Sequence, residues 1–162
     1  MKMNLNTKTI NPDMMAQGGD ILKCLQDLGF AVVPTKGTSM WPLLKEGKSL
    51  VQVVAVDGRP LNKGDVILYR RKDGTCVLHR IMKVREKDTY LVCGDHQWKL
   101  DETVERHRII AIARGFYKNG RYIDEKIWWY RLYKRCWNGN LKARRCCLAF
   151  LRLSGLEKLF MK

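Results

Sequence analysis

The sequence lacks the short motifs that identify the commonest enzyme and metal-binding classes. Its 162 residues contain no HExxH zinc-protease motif, no GxSxG nucleophile elbow and no CxxC pair. Residues 46–50 (EGKSL) end like a phosphate-binding loop, but Pro42 stands where that loop requires a glycine. The chain therefore has neither a phosphate-binding loop nor the cysteine spacing of a zinc knuckle.

Long hydrophobic runs are missing as well. The first twenty residues are polar, and the longest uncharged apolar run near the C-terminus covers only residues 146–151. A membrane-spanning helix needs about 20 apolar residues. We therefore expect no signal peptide, no transmembrane helix and a cytoplasmic location, with peripheral attachment to a membrane as a further expectation. In that compartment the six cysteines are expected to be reduced thiols.

Acidic residues are scarce relative to basic ones. The chain has 31 Lys and Arg against 16 Asp and Glu, a net charge of +15. From Arg114 to the end, thirteen basic residues accompany only three acidic ones. Such a tail indicates an anionic partner, namely lipid headgroups, nucleic acid or an acidic protein, although a solvated helix face explains it equally well. Nucleic acid is the least expected of these partners.

The hydrophobic pattern changes twice along the chain. Residues 13–29 have helical spacing, and residues 30–123 alternate with period two between turn signals such as Asp73-Gly74 and Asn119-Gly120. After residue 123 the pattern is helical and aromatic, with a break at residues 138–140. We expect an N-terminal arm and helix (1–29), a partly closed antiparallel β domain (30–123) and a basic helical extension (124–162) with two helices.

Four polar residues in the β region have the types needed for nucleophilic catalysis: Ser39, His79, Asp95 and Asp101. A serine nucleophile needs a base to take its proton, and a histidine base needs a carboxylate to fix its tautomer. The predicted hairpin from residue 75 to residue 95 can bring His79 and Asp95 to one rim of the sheet. Each residue taken alone is more often a turn or structural residue.

Four ordered segments strengthen this interpretation. They are residues 39–42 (SMWP), 64–67 (GDVI), 79–80 (HR) and 94–95 (GD). In this order they resemble the superfamily that joins type I signal peptidases with the LexA-like self-cleaving repressors. The resemblance covers about residues 30–123 and implies the partly closed antiparallel β fold of those proteins.

The resemblance also implies roles for individual residues. Ser39 matches the nucleophile, and His79 matches the base found in endoplasmic-reticulum and archaeal signal peptidases, where bacterial enzymes have lysine. Asp95 matches the Gly-Asp motif and Asp101 matches a later acidic residue. Either one is expected to support His79.

Gly37 stands where many signal peptidases have a serine that helps to hold the oxyanion. The oxyanion hole is therefore expected to consist of backbone N–H groups, chiefly that of Ser39. The residues expected to form this hole or to position the substrate are Gly37, Thr38, Met40, Pro42 and Arg80.

The expected function is a serine peptidase that cleaves a peptide or protein precursor and needs no cofactor or metal. His96 and His107 are weaker candidates for the base, and a metal site from Cys76, Cys93 and His96 has no recognised spacing. A non-catalytic module that binds a peptide or partner protein is one alternative, and a self-cleaving repressor-like regulator is another. Residues 124–162 are the expected contact with an anionic membrane surface.

Overall fold

A computed structural model of the chain describes residues 20–118 and 120–154. These residues form three helices and an eight-stranded antiparallel sheet, which confirms the predicted mainly β class. The helices are α1 (Asp20–Leu28), α2 (Trp128–Trp137) and α3 (Leu141–Leu153). The strands are β1 (Phe30–Pro34), β2 (Ser49–Ala55), β3 (Val66–Arg70), β4 (Cys76–Arg85), β5 (Thr89–Cys93), β6 (Thr103–Glu105), β7 (Ile109–Lys118) and β8 (Arg121–Asp124).

The sheet curves into a half-barrel in which the strands follow the order β1-β2-β7-β3-β4-β5-β6, and β8 pairs with β7. Strand β3 lies between β7 and β4. In the β3–β4 pair Ile67 lies opposite His79, and Val66 lies opposite Arg80. This register places the His-Arg motif beside the Gly-Asp motif that precedes β3.

Strand β3 shows why the sequence forms a sheet that is buried on both faces. Val66 and Leu68 pack in one hydrophobic cluster, which also contains residues of α1, β1 and β2. Ile67 and Tyr69 pack in a second cluster with residues of β4, β5 and β6. Successive strand residues point to opposite faces, so a continuous apolar run fills both clusters.

The structure differs from the sequence-based boundaries at several points. Strand β6 was not predicted, because three residues are too few to show a period. The strand predicted to start at His107 begins only at Ile109, after a 3₁₀ turn at Arg106–Arg108. Helix α2 begins at Trp128 because β8 continues to Asp124. The start of the predicted N-terminal helix (13–19), the turn residue Asn119 and the end of the last predicted helix (155–160) lie outside the described residues.

A buried ion pair joins two of the sequence motifs. Arg80 Nε lies 2.7 Å from Asp95 Oδ1, and Arg80 Nη2 lies 2.6 Å from Asp95 Oδ2. Both side chains are fully buried, and Arg80 Nη1 also donates to the carbonyl of Gly64 at 2.8 Å. The fork-like geometry matches the strong bidentate arrangement of guanidinium and carboxylate groups.

Helix α2 completes this network. Tyr133 donates to Asp95 Oδ2 at 3.0 Å, and the Trp137 indole donates to the Asp95 carbonyl at 2.8 Å. Helix α2 also lies so close to the turn before β3 that a Cβ on Gly64 would approach the Lys134 and Asn138 side chains to 2.4 Å. The aromatic residues of the predicted extension therefore do not all lie on one surface, because those on one side of α2 pack on the β domain.

Helix α3 is held through Arg144, which is 2 % exposed. Its guanidinium donates to the carbonyls of Gly94 at 3.0 Å and Trp137 at 2.6 Å. Asn140 caps the helix by accepting a hydrogen bond from the Lys142 N–H. Both C-terminal helices thus contact the Gly94–Asp95 turn.

All six cysteines are free thiols. No helix in the described part of the chain combines the length and the apolar character needed to cross a membrane.

Replacing Arg80 with Met should strongly destabilise the fold, because Asp95 would remain buried without its cation. Loss of one partner of such a pair costs roughly 3–5 kcal/mol. The matched control is Arg85→Met, an exposed arginine on the same strand, which should change the free energy of unfolding by less than about 0.5 kcal/mol. Urea denaturation measures both values, and equal losses would contradict a structural role for the pair.

Candidate active site

Ser39 lies in the segment between β1 and β2. The Trp41 N–H donates to the Thr38 carbonyl at 3.0 Å, and the Leu44 N–H donates to the Met40 carbonyl at 2.9 Å. Met40, Trp41 and Leu44 are buried, whereas Ser39 is half-buried. The apolar residues after Ser39 therefore anchor the turn in the core and leave the serine at its surface.

Gly94 fixes the other side of Ser39. The Ser39 carbonyl accepts a hydrogen bond from the His96 N–H at 2.8 Å. A Cβ at position 94 would lie 2.5 Å from the Ser39 carbonyl oxygen and 3.1 Å from its Cβ. A glycine is thus required at position 94, because any side chain there would push the Ser39 turn away.

Ser39 and His79 border the same cavity, which has a volume of about 720 Å³. Gly37 and Met40 line it beside Ser39, whereas Thr38, Pro42 and Arg80 are not among the described residues that line it. The first four residues of β4, Cys76–His79, also line it. A cleft of this size with a few convergent polar groups has the character of a ligand site.

His79 is 1 % exposed, and its Nδ1 lies 3.0 Å from Asp101 Oδ2. The Tyr69 hydroxyl lies 3.4 Å from the same nitrogen and donates to Asp101 Oδ2 at 3.2 Å. Since the single hydroxyl proton of Tyr69 is used by Asp101, its oxygen is left to accept from His79. Both neighbours therefore favour a proton on Nδ1, which leaves the lone pair of Nε2 to act as a base. Ser39 is not among the hydrogen-bond partners of His79.

Arg71 holds Asp101 from the opposite side. Its guanidinium donates to Asp101 and forms a second ion pair with Glu102. Neither Arg71 nor Tyr69 was predicted from the sequence, because neither lies in one of the four motifs. Their one sequence signal is position, since Tyr69 lies two residues after Ile67, the β3 residue that pairs with His79.

The electrostatic environment suits a neutral base beside an ionised carboxylate. Burial lowers the pKa of His79 below 6.5, and the negative charges of Asp101 and Asp95 only partly offset this effect. Burial alone would raise the pKa of Asp101, but the hydrogen bond from Arg71 and the positive charges nearby outweigh it and leave that pKa lowered. At neutral pH His79 is therefore uncharged and Asp101 is ionised.

The sequence left open whether Asp95 or Asp101 supports His79, and the two carboxylates lie in different surroundings. Asp101 contacts His79, whereas the partners of the Asp95 side chain are Arg80 and Tyr133. Neighbouring residues of a strand point to opposite faces, so His79 faces Tyr69 while Arg80 faces Asp95. Arg80, predicted to position the substrate, is instead buried in the ion pair.

The two remaining histidines lie in other surroundings. The ring of His96 packs on Trp41 at a centroid distance of 5.1 Å. His107 is exposed and lies 3.2 Å from Glu105.

Cys93 is buried and donates to the Lys99 carbonyl, and burial raises the pKa of its thiol to about 11. No three His, Cys, Asp or Glu side chains within residues 20–118 and 120–154 converge as a metal-binding group.

No protein-family model and no curated protein matches this chain.

An NMR titration of the His79 ring tests the electrostatics independently of any enzymatic assay. The ring should titrate below pH 6.5, because burial disfavours its charged form. Asp101→Asn should lower that pKa further, because it removes a negative charge that favours the imidazolium. The control Asp57→Asn, at an exposed turn, should leave the pKa unchanged. A pKa above 6.5, or an Asp101→Asn variant with a raised pKa, would contradict this description.

Proposed function

We propose that the protein is a serine peptidase that cleaves a peptide or protein precursor by acyl transfer, as the four motifs resembling signal peptidases and LexA-like proteins imply. The observation that carries the proposal is the shared cavity of Ser39 and His79, together with Asp101 Oδ2 at 3.0 Å from Nδ1 of the imidazole. This arrangement supports the proposed roles of Ser39 as nucleophile, His79 as base and Asp101 as the carboxylate that orients the base.

In the proposed reaction Ser39 Oγ attacks the carbonyl carbon of the scissile bond, and its proton passes to His79 Nε2. The imidazolium is stabilised by Asp101 and then donates the proton to the leaving amine. A water molecule attacks the acyl-enzyme in the reverse sequence, which regenerates Ser39 and releases the acid. Tyr69 and Arg71 act as positioning residues through Asp101.

The developing oxyanion needs hydrogen-bond donors that are not already used by other groups of the protein. The Ser39 N–H has no hydrogen-bond acceptor among the described residues. This supports the expected oxyanion role of the Ser39 backbone.

The sheet offers an edge for an extended substrate. Strand β4 pairs with β5 only from Arg80 to Arg85, so Cys76–His79 pair with β3 alone. This open edge lines the cavity, and the end of β1 with Thr35 and Lys36 lines it as well. We propose that the substrate adds as a strand along this edge, with backbone hydrogen bonds supplying affinity.

A peptide-binding module without catalytic activity is the second candidate. The observation in its favour is that Ser39 forms no hydrogen bond to His79. Catalytic hydrogen bonds are often long before substrate binds, so this geometry is compatible with the enzyme.

Cleavage of a mixed peptide library, read by mass spectrometry, tests the proposal. Ser39→Ala should abolish cleavage of any peptide that the wild-type protein cuts. Asp101→Asn should lower kcat about 10⁴-fold, because the imidazole then adopts the wrong tautomer. The matched control Asp73→Asn, at the exposed β3–β4 turn, should retain full activity.

The pH profile of kcat/KM gives a second readout. Activity should rise with pH through the lowered pKa of His79 and be fully present at neutral pH. Peptides that bind equally to wild-type and Ser39→Ala protein, with no cleavage by either, would favour the binding module.

A further inference from the structure

The two sides of α2 have opposite characters. Tyr130 and Tyr133 pack against the buried Arg80–Asp95 pair. The other side carries Trp128, Arg131, Leu132 and Arg135, all of which are exposed. Their spacing of i, i+3, i+4 and i+7 places these four residues on one stripe of the helix. We call this stripe the outer face of α2.

The apolar members of the outer face are unusually exposed for large side chains. Trp128 is 73 % exposed and Leu132 is 55 % exposed. Trp128 shares a surface depression with Arg131 and Arg135. An aromatic and an aliphatic side chain flanked by guanidinium groups is the arrangement found on helices that lie in a membrane interface.

A basic cavity of about 640 Å³ adjoins the outer face. Arg131 and Arg135 line it together with Lys63 and Lys126. None of these four cations has an ion-pair partner among residues 20–118 and 120–154.

The two carboxylates at the same cavity are already neutralised. Glu125 pairs with Arg114, and Asp65 pairs with Lys134 at 2.7 Å. The cavity therefore presents a surplus of positive charge.

We propose that the outer face of α2 and the adjoining basic cavity dock the protein on an anionic phospholipid bilayer. Trp128 and Leu132 enter the interface, and the lipid phosphates are bound by Arg131 and Arg135. This site lies on the side of α2 opposite the Asp95 contacts, and the inference does not depend on the peptidase chemistry. The apolar residues favour a bilayer over nucleic acid, because a phosphate backbone has no apolar region in which Leu132 could be buried.

Vesicle co-sedimentation of the full chain tests the proposal, with phosphatidylcholine alone and with phosphatidylcholine containing phosphatidylglycerol. The wild-type protein should sediment with the anionic vesicles and be released by salt. Arg131→Gln combined with Arg135→Gln should weaken binding about 10- to 30-fold, as expected for two cations near an anionic leaflet. The control Lys83→Gln combined with Arg85→Gln removes the same charge from exposed positions on β4 and should bind like the wild type.

A second matched pair of variants tests the contribution of apolar insertion to vesicle binding separately from that of charge. Leu132→Gln should weaken vesicle binding severalfold, whereas Leu28→Gln, at a leucine with 54 % exposure on α1, should not. Circular dichroism confirms that each variant is folded, which is expected because all the changed side chains are exposed. Equal loss in test and control variants would overturn the proposal. Equal binding to neutral and anionic vesicles would also overturn it. So would binding of soluble glycerol phosphate by a protein that does not sediment with vesicles. A third contrary result would be a gel shift with nucleic acid that depends on Arg131 and Arg135, without any vesicle binding.

Discussion

The buried ion pair between Arg80 and Asp95 is the interaction on which the rest of the structure depends. Two charges removed from water are tolerated only when their remaining polar atoms are also satisfied. Here Arg80 binds the Gly64 carbonyl, and Asp95 accepts from Tyr133 of α2. The pair therefore connects β3, β4, the turn after β5 and the C-terminal helical region, so that α2 is an integral part of the fold.

The same pair positions the candidate active site. The strand that buries Arg80 on one face must present its neighbour His79 on the other, where Tyr69 and Asp101 lie. The residue before Asp95 is Gly94, whose lack of a side chain lets the Ser39 turn approach. One charge pair thus fixes both the strand that carries the proposed base and the turn that supports the proposed nucleophile.

Local sequence patterns predicted much of the fold and only part of the candidate site. Period-two alternation and the Asp73-Gly74 turn correctly indicated β3 and β4, because these signals depend on neighbouring residues. The contact between His79 and Asp101 depends on the register of separate strands and on the path of the chain after β5, which no local pattern encodes. For the same reason the contacts of Arg71 with Asp101, thirty positions apart, were not predicted.

The most direct test of the account is covalent labelling of the full chain with a serine-directed fluorophosphonate, followed by intact-mass measurement and peptide mapping. The account predicts one adduct, located on Ser39, which forms readily at neutral pH and slowly in acid, where His79 becomes protonated. Ser39→Ala should remain unlabelled, and Asp101→Asn should react much more slowly. Equal labelling of wild-type and Ser39→Ala protein, or an adduct on another serine, would contradict the assignment of Ser39 as the nucleophile.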